Sequence, residues 1–308
     1  MRILVTGGAG FIGSHVCPSI MAQGHQLVVL DNLSSGRRDF VPQGATFIEG
    51  DILAPHAWQK QVGHIDAVIH LAAQISVPLS ESDPGNDLHT NLAGTLKMLE
   101  VATQLGAKEF RLASSAAVYG DVAELPLQES GPAHPISFYG LNKWAAEQYV
   151  MHWAETHDLT GIALRLANVY GPRQRTAGEG GVVALFCEAL AQDRPLSVHG
   201  DGSQTRDFIA ASDVAQAFTH RLGTPGPSAI YNVSTGTRIS VLELIDKLRQ
   251  VSEQPGRYVM TEPRPGDIHD SVLSIDQAQK WGFHARTDLT RGLDETWQYF
   301  KEMGQNRQ

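Results

Sequence analysis

Cysteine is almost missing from this chain: Cys17 and Cys187 are the only two among 308 residues. Two thiols cannot build a disulfide framework, and such usage fits a reducing compartment. Basic runs are missing too. Arg37-Arg38 is the one adjacent basic pair in the first half, and 24 Lys plus Arg against 33 Asp plus Glu leave a net charge of −9. With a pI of about 5.8, there is no electrostatic case for nucleic acid or an anionic membrane as partner. The thirteen histidines show no HxxxH pattern and the cysteines no CxxC, so no metal site is expected. No stretch approaches the ~20 apolar residues of a membrane span. Met1-Arg2 runs straight into Ile3-Leu4-Val5, without a charged n-region or cleavage site. The chain is therefore expected to carry no targeting segment and to be cytoplasmic.

What is present suits a folded enzyme-sized protein. Hydrophobic residues make up 42% and charged residues 19%, enough apolar material for a core and too little charge for disorder. The length suggests two domains, or one large α/β domain with an appended lobe. Short apolar runs at Ile3–Thr6, Leu27–Asp31, Thr46–Glu49, Ala67–Leu71, Glu109–Ser114 and Gly161–Leu166 read as strands. Helical periods fill Phe11–Gln23, Asp87–Leu105 and Tyr139–Thr156. Strands separated by helices must pair in parallel, because a parallel return needs a crossover. The expected class is α/β: a doubly wound, Rossmann-type parallel sheet over residues 1–166. After Leu166 the rhythm changes. Val182–Gln192 and Val241–Val251 read as helices, Leu196–His199 as a strand, and Pro255–Gly266 as extended and loop-rich. We expect a smaller lobe over 167–211 and 234–308, with 212–233 returning to the first domain.

Gly7-Gly8-Ala9-Gly10-Phe11-Ile12-Gly13 follows the first strand and opens the first helix. Without side chains the backbone can turn tightly and approach a pyrophosphate resting on the helix N-terminus. Asp31 ends the second strand, where a carboxylate can take both adenosine ribose hydroxyls and repel a 2′-phosphate. This points to NAD, with Arg37 and Arg38 read as solvated loop residues. Asp51, after the third strand, is either an adenine contact with Ile52 lying on the ring, or a turn cap. His70 reads as a packed histidine at the end of the fourth strand.

Tyr139 and Lys143 form a YxxxK pair, which a helix places on one face. A tyrosine titrates near 10, so a base working near neutrality needs about three units of help, or ~4 kcal/mol. A neighbouring ammonium and an oxidised nicotinamide, both cationic, can supply it. Ser114-Ser115-Ala116-Ala117 ends the fifth strand, where ligands collect in a doubly wound sheet. A serine there can share a substrate hydroxyl with the tyrosine, or merely cap a turn.

The ordered set GGAGFIG, DNLSSG, HLAA, SSAAVYG, YGLNK and NVYGPRQ resembles the extended short-chain dehydrogenase/reductase superfamily, in particular its NAD-dependent epimerase/dehydratase members. Within these it is most similar to nucleotide-sugar 4-epimerases of the UDP-glucose (UDP-galactose) 4-epimerase type. The resemblance implies a catalytic trio of Ser115, Tyr139 and Lys143. It implies NAD contacts from Gly7, Gly10, Phe11, Ile12, Gly13, Asp31, Asn32, Ser35, Gly36, Asp51, Ile52, Leu71, Ala72, Ala73, Asn91, Tyr139 and Lys143. For the UDP-sugar it implies Ser115, Asn168, Val182, Val183, His199, Arg206, Arg264, Asp267 and Ser271. Arg206 and Arg264 are expected to clamp the diphosphate, since each guanidinium offers a donor fork to phosphate oxygens. Read locally, Asn91 is a polar residue facing solvent. In relatives the helices Asp87–Leu105 and Tyr139–Thr156 make a four-helix dimer interface, so a homodimer is expected.

The same scaffold hosts several reactions. Related 4,6-dehydratases carry an Asp-Glu pair where this chain has Ala116-Ala117, which disfavours dehydration. Epimerisation at C4 through a 4-keto sugar is the expected reaction. Ser271 stands where a bulky tyrosine excludes N-acetylated sugars, so UDP-N-acetylhexosamines are expected beside UDP-glucose and UDP-galactose; the alternative is a surface serine. Leu166, Phe138 and Ala210-Ala211 depart from the family pattern and bear on pocket shape. A UDP-uronic-acid 4-epimerase, or another NAD-linked nucleotide-sugar oxidoreductase, is the rival reading. A non-catalytic NAD-sensing regulator is the distant one.

Overall fold

The computed structural model describes residues 1–176, 180–263 and 268–305. Its first half runs β1 (Arg2–Thr6), α1 (Gly13–Ala22), β2 (Gln26–Asp31), β3 (Thr46–Glu49), α2 (Gln59–Val62), β4 (Ala67–His70), α3 (Val77–Ser82), α4 (Pro84–Asp87), a π-helical turn (Leu88–Ala93), α5 (Gly94–Gln104), β5 (Glu109–Ser115), α6 (Phe138–Thr156) and β6 (Thr160–Leu166). The second half runs β7 (Asn168–Tyr170), α7 (Val182–Ala191), β8 (Leu196–His199), β9 (Thr205–Arg206), β10 (Phe208–Ala210), α8 (Ala211–Thr219), β11 (Ala229–Val233), β12 (Ile239–Ser240), α9 (Val241–Ser252), β13 (Tyr258–Thr261), α10 (Asp276–Trp281) and α11 (Leu289–Gln305).

Seven strands form one sheet in the order β11-β6-β5-β4-β1-β2-β3. Every pairing from β6 to β3 is parallel, each return made by a crossover long enough for it, with an α-helix in every one but the β2–β3 connection. The order reverses between β1 and β4, and that switch point is where a doubly wound sheet opens a crevice at its strand ends. Apolar side chains such as Leu4, Val28, Val68, Phe110 and Leu112 fill the core between sheet and helices, with Met98, Leu99, Ala146 and Val150 from α5 and α6. The doubly wound expectation is met.

Two compact units emerge. One holds residues 1–120, 131–166 and 214–231; the other holds 121–130, 167–213 and 232–308. The second unit is built from three two-stranded sheets, β7/β10 and β8/β13 parallel and β9/β12 antiparallel. Its core gathers Val183 and Phe186 of α7, Leu244 and Leu248 of α9, and Leu293, Trp297 and Phe300 of α11. Ser240 and Glu243 close a capping box on α9, satisfying two backbone N–H groups at its start.

Three differences from the sequence reading have physical causes. The period over Asp87–Leu105 is not one helix: α4 passes through the π-helical turn before α5 begins. That turn shifts the hydrogen-bond register, and the Thr95 hydroxyl donates to the Asn91 carbonyl at 2.7 Å. The loop-rich stretch after Pro255 contains β13, which pairs in parallel with β8. Helix α11 went unread although Leu289, Leu293, Trp297 and Phe300 repeat at helical spacing and the last three are buried.

Candidate active site

The glycine-rich turn leaves β1 with Gly7 at φ +68°, and a Cβ there would lie 2.6 Å from the Ala72 nitrogen. At Gly13 a Cβ would collide with the Gly7 carbonyl oxygen. Neither position tolerates a side chain, so α1 begins tight against β1. Helix α1 has no side-chain cap and no acid in its first turn, which leaves its positive end for an anion. Asp31 ends β2 and is buried; its two carboxylate oxygens accept the Ala9 N–H at 2.9 Å and the Leu33 N–H at 2.8 Å. Gly36 packs on Ala9, and the Arg37 N–H donates to the Ala9 carbonyl at 2.9 Å, folding the 32–37 loop onto the glycine turn. Ser35 in that loop is exposed. Asn32 donates to Asp51 at 3.2 Å, and Asp51 also accepts the Leu53 N–H at 2.8 Å. Ile52 is buried in the core, where it meets Gly94 at the start of α5. Leu71, Ala72 and Ala73 continue from β4; the Leu71 N–H donates to the Thr6 carbonyl and the Ala72 N–H to the Thr6 hydroxyl. A turn that admits no side chain, an uncapped helix start and an acid at the end of β2 together fit a dinucleotide.

The tyrosine and lysine stand one turn apart on α6, with Lys143 Nζ 5.8 Å from the centre of the Tyr139 ring. Three groups outside α6 fix its start. Ser137 caps it, accepting the Gly140 N–H; Ser80 on α3, wholly buried, accepts the Tyr139 N–H at 3.1 Å; Glu81 accepts the Phe138 N–H at 2.9 Å. At the end of β5 the Ser115 hydroxyl hydrogen-bonds the Tyr139 phenol, so Ser115, Tyr139 and Lys143 meet. Burial pushes the phenol up to about 12, although the Ser115 hydrogen bond pulls it down. Burial also pulls Lys143 down to about 8, opposed by the charges of Asp87 and Glu147. Lys143 donates to the Ala113 carbonyl at 3.0 Å.

Beneath this trio lies polar structure that the sequence did not announce. Asn91 is buried, not solvent-facing: its amide clasps the Gln74 backbone, accepting the N–H and donating to the carbonyl, both at 2.9 Å. Asp87, fully buried, accepts amide donors from Gln74, Asn91 and Asn142. Glu147 accepts a fork from Arg165 and the Ser114 hydroxyl at 2.5 Å. The guanidinium of Arg165 also lies 4.7 Å from the Tyr119 ring. Burial works against the Arg165 charge, but Glu147 outweighs it and holds the proton above its ordinary range. One signal for Glu147 was available: it continues the four-residue spacing of Tyr139 and Lys143 along one helix face.

Apart from Ser115, the described residues expected to meet a sugar nucleotide lie in the second unit. Asn168 is exposed on β7, its N–H donating to the Asp207 carbonyl at 2.9 Å. Arg206 ends β9, its guanidinium donating to the carbonyls of Thr205 at 2.9 Å and His269 at 3.1 Å. The Ser271 N–H donates to that same Thr205 carbonyl, bringing Ser271 beside β9. Val182 and Val183 start α7, the first half-buried and the second in the core. His199 ends β8, where Nδ1 pairs with the Thr261 hydroxyl at 2.9 Å. Arg264 and Asp267 lie outside the described residues. Between Asn168 and Arg206, Asp207 is the organiser that sequence reasoning missed. Its buried carboxylate accepts the Thr235 N–H and hydroxyl and the Gly236 N–H, while burial pushes its pKa up.

Residues 3–234 match the model of the NAD dependent epimerase/dehydratase family. Over 313 residues the chain is 36% identical to the UDP-glucose 4-epimerase of Mycolicibacterium smegmatis, covering 99% of this chain and 100% of the relative. The crystal structure of UDP-glucose 4-epimerase from Thermotoga maritima with UDP-glucose is similar at a TM-score of 0.95 and 36% identity, covering 98% of this chain and 99% of that one. UDP-glucose 4-epimerase from Thermus thermophilus, in complex with NAD, is similar at a TM-score of 0.91 and 36% identity, with the same coverage. Among the described residues no helix is long and apolar enough to cross a membrane.

Proposed function

As the chain belongs to the NAD dependent epimerase/dehydratase family, we propose that it interconverts UDP-glucose and UDP-galactose by inverting C4, with NAD as resident cofactor. The observation that carries this reading is the meeting of Ser115, Tyr139 and Lys143 in the unit that also holds the glycine turn and Asp31. NAD, when bound, accepts the C4 hydride and returns it. The other steps belong to the chain. Gly7, Gly10, Phe11, Ile12 and Gly13 let a pyrophosphate reach the positive end of α1, and Asp31 takes the ribose. Ser115 orients the C4 hydroxyl and Tyr139 accepts its proton. Lys143, protonated below about pH 8, favours the phenolate that this transfer needs. Loss of hydride and proton leaves a 4-keto sugar; delivery of both to its opposite face gives the C4 epimer. Asn168, Arg206 and the sequence-assigned Arg264 and Asp267 hold the nucleotide while the sugar turns.

Ala116 and Ala117 supply no acid or base, so elimination of water has no catalyst there. A non-catalytic regulator would have no use for the Ser115–Tyr139 hydrogen bond beside a buried ammonium. Ser271, half-buried beside β9, leaves room for an N-acetyl group, so UDP-N-acetylhexosamines are further substrates. We assign NAD to residues 1–166 with 212–233, and the sugar nucleotide to 167–211 with 234–308. The chain works in the cytoplasm as a homodimer. Leu88, Leu141 and Tyr149, 43–49% exposed on the π turn and α6, supply apolar surface for the contact. Sedimentation at the monomer mass would overturn that assembly.

The test of the reaction is interconversion of the two UDP-hexoses by purified protein without added cofactor. Tyr139→Phe is expected to keep NAD and lose ~10²–10⁴-fold in kcat, the usual worth of a positioned base. Release of free NADH with net oxidation of the sugar, or full turnover by the phenylalanine variant, would refute it.

A further inference from the structure

Four charged side chains are buried together around α6: Lys143, Glu147, Arg165 and Asp87, none more than 5% exposed. Two of them satisfy each other. Arg165 Nη2 donates to Glu147 Oε2 at 2.7 Å and its Nε to Oε1 at 3.0 Å, a neutral bidentate pair. The other two do not touch. Among the described residues, the Lys143 ammonium donates to the Ala113 carbonyl. Asp87 accepts Gln74 Nε2 at 2.7 Å and Asn91 Nδ2 at 2.8 Å on Oδ1, and Asn142 Nδ2 at 2.7 Å on Oδ2. No described cation lies within ion-pairing distance of that carboxylate.

Neutral amides fix a carboxylate's place without cancelling its charge. A carboxylate in a dry interior is costly, and a nearby cation lowers that cost beyond what neutral donors supply. With Arg165 committed to Glu147, the balancing cation left in this cluster is Lys143, the residue after Asn142 on α6. We propose that Asp87 is the fixed counter-ion of Lys143, a positioning residue that keeps the ammonium charged and so sets the pH range in which Tyr139 works as a base. The proposal rests on the epimerase reading of the same site. The π-helical turn that follows Asp87 serves it, bringing Asn91 onto both the carboxylate and the Gln74 backbone.

The other groups around Tyr139 and Lys143 do not compete for this role. His70 on β4 is buried and held neutral, pulled down to about 3 by burial and by Lys143. Tyr119 lies on Arg165 after β5, Glu81 on α3 is exposed and caps Phe138, and His89 on the π turn is exposed. Helix α5 presents the partly exposed Lys97–Glu100 pair.

Two measurements test the proposal. In Asp87→Asn holoenzyme the phenolate forms more easily and the ammonium is lost more easily. Both limbs of the pH profile of kcat should then move to lower pH, by about one unit. A fall in kcat with both limbs in place would mean that Asp87 is only a structural clasp. The second measurement is a stability cycle that needs no activity. If Asp87 balances Lys143, then Lys143→Met strands the carboxylate, and adding Asp87→Asn should raise the melting temperature of that variant. A clasp predicts the reverse: the second substitution lowers it further, or the double variant fails to fold, and either result overturns the proposal. Absence of UDP-hexose interconversion by the wild type would instead sink the epimerase reading and leave the cycle interpretable.

Discussion

The polar groups we assign to proton transfer in the first unit and those we assign to the sugar nucleotide in the second differ in burial. In the first, the ionisable groups around the chemistry are buried and tied: Glu147 to Arg165 and Ser114, Asp87 to three amides, Tyr139 to Ser115. In the second, Asn168 is exposed, and Arg206 and Ser271 are half-buried on short strands and loops. The contrast teaches that a proton-transfer centre needs groups whose charge states are set before substrate arrives, because each exchanges one fixed partner for another. A sugar-nucleotide grip needs groups that solvent and ligand can reach, and Arg206 keeps such exposure while its guanidinium donates to the Thr205 and His269 carbonyls.

Substitutions can break or sharpen that contrast. The largest effect is expected in the first unit. Glu147→Ala leaves the Arg165 guanidinium buried without its partner and should cost ~3–5 kcal/mol of stability, read by urea unfolding. A loss below ~1 kcal/mol would mean that the buried pair is not what ties α6 to the sheet. In the second unit Arg206→Ala should leave the melting temperature unchanged and raise KM for UDP-glucose by ~10–100-fold, since a charge-assisted hydrogen bond is worth ~1.5–3 kcal/mol. A variant that unfolds instead would erase the distinction between the units. The smallest effect is a pH dependence of stability. His70 stays neutral in the folded chain down to about pH 3, whereas an unfolded histidine takes a proton below about 6.5. Stability from this residue is therefore whole above about pH 6.5 and falls by about 1.4 kcal/mol per pH unit below it, toward pH 3. His70→Asn should remove that slope, measured by unfolding at pH 6.5 and 5; an unchanged slope would show that other groups carry it.

Much of the fold was legible because burial imposes periodicity. β1 to β6 are short apolar runs, and the long connections between them, most of them helical, point to parallel pairing before any contact is known. The glycine turn was legible because only glycine fits where Gly7 approaches Ala72. The trio was legible as a spacing plus a strand end. The clasp beneath it was not. Asp87, Gln74 and Asn142 are single polar residues in helices or loops, and nothing local separates a buried amide from a solvated one. Asn91 shows this directly: read locally it is a polar residue facing solvent, yet it is buried in the π turn against Gln74 and Asp87. Asp207 escaped for the same reason: its partners, Thr235 and Gly236, stand nearly thirty residues away. Helix α11 escaped differently, for its pattern was present and simply unread.

Asp31 carries one more lesson. We propose this carboxylate for the ribose of NAD, and both of its oxygens already staple backbone, one to Ala9 in the glycine turn and the other to Leu33. On the proposed NAD reading, nucleotide choice and loop architecture share a single side chain. Retooling this enzyme for a phosphorylated coenzyme by exchanging that acid alone would unlace the very turn that must grip the new molecule. A successful redesign has to replace two staples before it adds one cation.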